Sequence, residues 1–415
     1  MSAQSQTFVI VGASLAGAKA AGTLREEGFD GRLILIGAEP ERPYERPPLS
    51  KDYLQGESER EKAFVHEAGF YAEREIELRT GQTVTGLDPT QREVVLDSGE
   101  QLGFDRLLLA TGAEPRRLGI PGADLDGIHY LRTLADSDAL RERLSAGGKL
   151  VVVGAGWIGA EVAASARQLG VEVTVVEPFS VPLERVLGPE VGAVYRDIHL
   201  DHGVELLLET GVASFEGGER VERVRTEDGR EIECSAVVVG VGVQPRTGLA
   251  AQAGLDVDNG VLVNERLETS APGIFAAGDV ANHQHPDLGR LRVEHWANAL
   301  NQGPAAARAM LGFSDTYDRL PYFFSDQYDV GMEYSGYATE WDQVVFRGDP
   351  ADREFIAFWL REQHVVAAMN VNVWDVNEHL QALIRSRRAV DAAVLTDTDT
   401  ELDSLVSEEE PTNAR

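Results

Sequence analysis

Cysteine is almost missing from this 415-residue chain, which has Cys234 and no other. One thiol can form neither an internal disulfide framework nor a Cys-x-x-Cys redox pair. Its context, "EIECSAVVVG", places it at the start of a strand as a small buried hydrophobe rather than a nucleophile. Positive charge is also scarce: 38 Lys and Arg stand against 69 Asp and Glu, a formal net charge of −31. Nonspecific binding to nucleic acid, which needs clustered cations, is thereby disfavoured. No apolar run reaches the length of a bilayer span. The opening "MSAQSQTFVIVG" lacks the charged-then-apolar order of a secretory signal and enters a strand almost at once. These absences predict a cytoplasmic protein without a membrane or nucleic-acid partner, and no metal-ligating set stands out.

What is present is a repeated plan. The chain opens as strand, glycine turn, helix and strand ("TFVIVG", "AGAKAAGTLREEG", "RLILIGAE"), and "DRLLLATGAEP" adds a further buried strand. From Lys149 the order recurs in "KLVVVGAGWIG" and "EVTVVEP", ending in "CSAVVVGVGVQP". Internal duplication on this scale organises a fold. "GIFAAGDVANH" reads as a strand returning to the first segment. Aromatic strand-like pieces follow ("LPYFFSDQYDVGMEYSGYA", "DQVVFRG", "REFIAFWL", "HVVAAMNVN"), then a helix in "VNEHLQALIRSRRAV".

Strands alternating with helices predict parallel sheets covered on both faces. The fold class is α/β: two doubly wound dinucleotide-binding domains plus a C-terminal α+β domain. The expected boundaries are 1–113 with 244–318 for the first, discontinuous domain, 114–243 for the second and 319–396 for the third. Residues 397–415, "DTDTELDSLVSEEEPTNAR", are expected to form an acidic flexible tail.

Each glycine turn has the parts of a dinucleotide site. The first glycine makes the tight turn, the second admits the pyrophosphate, the third lets helix and strand pack closely, and the helix N-terminus favours the anion. Gly154, Gly156 and Gly159 fill the three positions of the second copy. Glu177 ends the next strand, where an acid holds ribose hydroxyls and repels a 2′-phosphate, so NADH is expected over NADPH. In the first copy Gly12 and Gly17 hold the outer positions, Ser14 stands in the middle, and Glu39 is the strand-end acid. Ala16 and Ile158 inside the turns, and Gly242 in "VVVGVGVQP", complete the cofactor-contacting set.

These turns, with "LLLATGAEP" and "TSAPGIFAAGDVA", resemble the two-dinucleotide flavoprotein reductases of the glutathione-reductase fold. "RPYERPPLSKDYL" and "RVEHWANALNQG" narrow the resemblance to the FAD-dependent NADH:ferredoxin reductases of bacterial oxygenase systems, over nearly the whole chain. It implies that domain 1–113/244–318 binds FAD and domain 114–243 binds NADH. Asp279 in "AAGDVA" would accept from a ribityl hydroxyl, and Arg132 in "HYLRTL" would donate to polar groups of the flavin cofactor. Val84 would touch the adenine end by its backbone, Arg46 the adenosine half, and Trp296 would pack over the isoalloxazine. Ala38 stands where members often carry Asp. Lys51 and Glu161 are the implied pair at the chemistry, the lysine offering positive charge to reduced flavin and the carboxylate orienting it.

Relatives of this architecture that relay electrons through cysteine have one in the loop occupied here by "YERPPLSKDY", which has none. Electrons must therefore leave for an external acceptor. The resemblance implies a two-iron two-sulfur ferredoxin serving a haem monooxygenase or a Rieske-type dioxygenase. An NADH-dependent rubredoxin or quinone reductase is the alternative, and a redox sensor that merely keeps its nucleotides a third reading. Such ferredoxins are usually acidic, so docking would need local basic residues, Arg308 or Arg292. A monomer or weak homodimer is expected.

Overall fold

The structure, a computed structural model, describes residues 6–406. It divides into two compact units: one of residues up to Pro47, Glu59–Glu114 and Val243–Arg319, the other of Pro48–Ser58, Pro115–Gly242 and the chain from Leu320.

The first unit is built on the strand Thr7–Val11, in which Phe8, Val9, Ile10 and Val11 are all buried. A strand with no polar face must be covered on both sides. It pairs in parallel with Arg32–Ile36 on one side and Arg106–Leu109 on the other. Ile76–Arg79 and Ile274–Ala276 complete the five-stranded parallel sheet, so the segment around Ile274 does return to the first sheet. The helix Leu15–Glu26 packs against the helix Trp296–Met310 through small residues. A Cβ on Gly303 would lie 2.4 Å from the Ala16 carbonyl oxygen, so glycine is what permits this approach.

The second unit repeats the plan. Its parallel sheet runs Glu205–Leu207, Glu172–Val176, Lys149–Val153, Ala236–Val239, Ile128–His129, with the helix Trp157–Gln168 following the central strand. The unit also holds an antiparallel five-stranded sheet in the order Tyr322–Gln327, Val330–Gly336, His364–Val371, Glu354–Arg361, Gln343–Asp349. Phe323, Tyr334, Phe355 and Trp359 fill one face of that sheet. The buried Trp359 indole donates to the Leu187 carbonyl at 3.1 Å, satisfying its one polar atom.

Three local readings change. Residues 48–58, sequential with the first segment, group with the second unit. Tyr53 donates to Asp138 at 2.6 Å, Gln55 to Ser165 at 3.0 Å, and Ser137 to the Leu49 carbonyl at 2.9 Å. Residues 397–406 pack rather than trail. Leu405 is buried in the core with Ile356, Phe358 and Leu395, and Arg347 donates to the carbonyls of Asp397, Thr398 and Thr400. A few apolar residues outweigh the acidic composition there, while 407–415 lie outside the described residues. Cys234 sits between the strands Glu231–Glu233 and Ala236–Val239, half-buried, and burial pushes its thiol up to about 11.

Candidate dinucleotide turns and the Lys51–Glu161 centre

Packing dictates the outer glycines of both turns. A Cβ on Gly12 would meet the Ala110 carbonyl oxygen at 2.0 Å, and one on Gly17 the Gly12 oxygen at 2.0 Å. In the second turn a Cβ on Gly154 would meet the Gly240 oxygen at 2.6 Å, and one on Gly159 the Gly154 oxygen at 2.0 Å. Gly156 differs. Its φ of −74° suits any residue, and its Cβ would find nothing nearer than 3.9 Å. Protein packing does not require glycine there, whereas a ligand lying against the backbone does. Ser14 occupies the matching position of the first turn, with extended backbone and a hydroxyl that makes no capping bond. The helix N–H groups after each turn lack intrahelical partners, as an anion site needs. Ala16 is buried in the first turn, Ile158 is 43% exposed in the second, and Gly242 has φ +97°, where a Cβ would meet Arg116 Cδ at 3.9 Å. Both cradles therefore fit a dinucleotide.

The acids behave differently from one another. Glu177 is buried and turned into its own glycine turn, accepting from the Ala155 N–H at 2.5 Å and the Phe179 N–H at 3.2 Å. Burial raises its carboxyl above the ordinary value, against the pull of these two donors. Glu39 is ion-paired with Arg46 at 2.8 Å and also accepts from the Tyr44 hydroxyl. Two residues expected at the adenosine half of one ligand are thus joined.

Asp279 lies in the short turn Gly278–Val280 and faces Arg46 and His295 electrostatically. The buried Gln302 accepts from the Gly278 N–H at 2.9 Å and fixes that turn. Trp296 begins its helix, half-buried, with the indole donating to Glu45 at 3.1 Å. Val84 is half-buried in the strand Val84–Asp88. Arg132 belongs to the other unit, at the start of the helix Leu134–Ser145, its N–H donating to Asp136 at 3.1 Å. Tyr44 and Glu45 lie within "RPYERPPLSKDYL" and Gln302 within "RVEHWANALNQG", but the sequence gives these three side chains no role.

Lys51 and Glu161 do meet. Nζ and Oε1 are 2.9 Å apart, with side chains 14% and 5% exposed. Glu161 also accepts from Ser50 Oγ at 2.5 Å and from Ser325 Oγ at 2.7 Å. Phe324 places its ring 5.7 Å from the Lys51 ammonium. Asp326 lies near both, and partial burial beside Glu161 raises its carboxyl. Sequence reading missed Ser50, Phe324, Ser325 and Asp326; the serine of "PPLSK" was within the quoted motif but has no side-chain pattern of its own.

The two docking arginines are not free cations. Arg292 has a side chain only 7% exposed and is paired with Glu294 at 2.5 Å. Arg308 is claimed by Glu27 and by Asp315. Among the described residues there is no group of metal-ligating side chains and no helix long and apolar enough to cross a membrane.

Two strand–turn–helix units, each closed by packing at its outer glycines and open in the middle, define a two-dinucleotide oxidoreductase. The chain belongs to the pyridine nucleotide-disulphide oxidoreductase family, which residues 6–303 match, and residues 322–406 match the reductase C-terminal family. It is 40% identical to the 5,5'-dehydrodivanillate O-demethylase ferredoxin reductase subunit of Sphingobium sp., over 96% of this chain and 98% of that protein. Putidaredoxin reductase of Pseudomonas putida is 36% identical, over 96% of each chain. In the crystal structure of the covalent putidaredoxin reductase–putidaredoxin complex a chain 36% identical superposes with a TM-score of 0.93, over 97% of this chain and 98% of that one. FAD and NAD(H) are the cofactors. The disulphide in the family's description has no counterpart here, since Cys234 is free.

Proposed function

We propose that the protein is a cytoplasmic NADH:ferredoxin reductase that carries FAD and supplies single electrons to a two-iron two-sulfur ferredoxin of an oxygenase system. The observation that carries this reading is near-full-length likeness to ferredoxin reductase components, in a chain with no cysteine pair to divert electrons. FAD, when bound, accepts a hydride from NADH and yields electrons one at a time, joining a two-electron donor to a one-electron carrier. Gly12, Ser14, Ala16, Gly17, Glu39, Arg46, Val84, Arg132, Asp279 and Trp296 would hold it. The turn around Gly156 with Ile158, Glu177 and Gly242 would hold NADH. Lys51 would offer positive charge to reduced flavin, and Glu161, paired with it at 2.9 Å, would orient the ammonium. The protein acts without nucleic acid or membrane, as a monomer or weak homodimer.

Stopped-flow mixing tests the acceptor. NADH-reduced protein is expected to reoxidise quickly with a purified two-iron two-sulfur ferredoxin and slowly with rubredoxin or a quinone. Fast transfer to either of the latter, with none to the ferredoxin, overturns the proposal.

Glu177 sets a second expectation. Glu177→Gln should shrink the preference for NADH over NADPH by about tenfold, through loss of the charge that repels a 2′-phosphate. The pH sign follows from burial. A carboxyl raised above its unfolded value ionises less readily in the folded chain, so its contribution to stability falls as pH rises through that range. Ribose binding needs the ionised form. NADH affinity should therefore weaken on acidification, with an onset above the ordinary glutamate value of 4.5, and Glu177→Gln should remove that limb. Isothermal titration across pH measures both.

A further inference from the structure

We infer that Ser325, on the first strand of the C-terminal sheet, is a positioning residue that holds the Glu161 carboxylate in register with Lys51. This rests on the reading of Lys51 and Glu161 as the pair at the flavin. It goes further in giving the C-terminal sheet a part in hydride acceptance.

Glu161 is 4% exposed, and a carboxylate so far from water needs every lone pair answered. Lys51 Nζ and Ser325 Oγ both approach Oε1, at 2.9 and 2.7 Å, while Ser50 Oγ takes Oε2 at 2.5 Å. The three donors come from separate parts of the chain. Ser50 and Lys51 precede the short helix Asp52–Gln55, and Ser325 lies on the strand Tyr322–Gln327. Ser325 is itself 2% exposed. The Gln327 side-chain amide, 1% exposed, donates to Ser325 Oγ at 3.4 Å. That donor occupies a lone pair of the serine oxygen and directs its hydrogen toward Glu161. Among the described residues the buried Tyr195 hydroxyl, on the helix Glu184–Asp201, makes no hydrogen bond.

Without Ser325 the shared oxygen keeps only the ammonium, and the carboxylate is free to rotate about the Ser50 bond. Lys51 would then be drawn off its line together with the carboxylate it is paired to at 2.9 Å. Ser50 has its own fixture, because its carbonyl accepts from Ser165 Oγ at 2.7 Å. Ser325 is thus the donor that the C-terminal sheet alone supplies.

The experiment compares the FAD-loaded Ser325→Ala, Ser325→Thr and Glu161→Gln proteins with the native one. It reads the rate constant for flavin reduction by NADH, the midpoint potential of bound FAD and the melting temperature. Ser325→Ala should slow reduction by about tenfold, the scale of one lost bond to a charged group. It should also move the potential in the same direction as Glu161→Gln, and Ser325→Thr, which keeps the hydroxyl, should restore both. A purely structural serine would change the melting temperature and leave the potential untouched. Should Ser325→Ala not fold, Ser325→Cys keeps the size, weakens the donor and carries the same expectation. Native rate and potential in Ser325→Ala, with both altered in Glu161→Gln, overturn the inference. Native behaviour in Glu161→Gln as well overturns the reading of the pair beneath it.

Discussion

Lys51→Met should slow flavin reduction by NADH about a hundredfold while FAD stays bound, the scale seen when one preorganised donor to developing charge is removed. The ammonium is 14% exposed and held 2.9 Å from Glu161, so its charge acts through little water. Methionine retains the length of the side chain and removes the charge. Glu161 keeps Ser50 and Ser325 but loses its counter-charge, so the loss of stability should be about 3–5 kcal/mol, which a melting curve reads alongside the rate. Single-turnover absorbance gives the rate, and the retained visible spectrum shows that the cofactor is still held. A native rate in a yellow Lys51→Met protein would sink the assignment.

Gly156→Val should abolish useful NADH binding without harming the fold, raising Kd by about a hundredfold or more. The reason is the contrast within one turn. Gly156 has ordinary φ and no neighbour for its Cβ within 3.9 Å, so valine costs the folded chain about 0.5 kcal/mol or less. The branched side chain then fills the space a pyrophosphate would use. Gly159→Ala is the opposite case. Its methyl would sit 2.0 Å from the Gly154 carbonyl oxygen, so the turn must open at about 3 kcal/mol. Thermal melts with and without NADH separate the two. Gly156→Val should melt like the native protein and gain nothing from NADH, whereas Gly159→Ala should melt several degrees lower. Intact NADH stabilisation of Gly156→Val would mean that the turn is a packing device only.

The same contrast shows why the fold was readable. Buried parallel strands such as Thr7–Val11 and Lys149–Val153 are continuous apolar runs bounded by glycine, and only that arrangement satisfies two covered faces. Glu177 directly follows the strand Glu172–Val176, as its place in the sequence pattern suggests, whereas Glu39 lies three residues beyond the strand Arg32–Ile36. The partners of the chemistry were not legible. Ser325 reaches Glu161 across 164 residues and Ser50 across 111, and a serine on a strand looks the same whether it faces solvent or a carboxylate. Arg292 failed for a related reason: one-dimensional proximity to a motif gives no measure of burial, and Arg292 ends the strand Gly289–Arg292 with its side chain only 7% exposed and paired with Glu294. Residues 397–406 misled through composition, because the apolar Leu402, Leu405 and Val406 decide packing that four acids do not.

Cys234 has a consequence for the working life of the protein. Any catalyst that holds loosely bound electrons in air makes some peroxide, and peroxide attacks thiolates rather than thiols. With its thiol pushed up to about 11, this lone sulfur stays protonated at neutral pH and offers peroxide little to oxidise. Among the described residues the methionines Met310, Met332 and Met369 are each at most 2% exposed, so repeated turnover in air would find little sulfur open to oxidation.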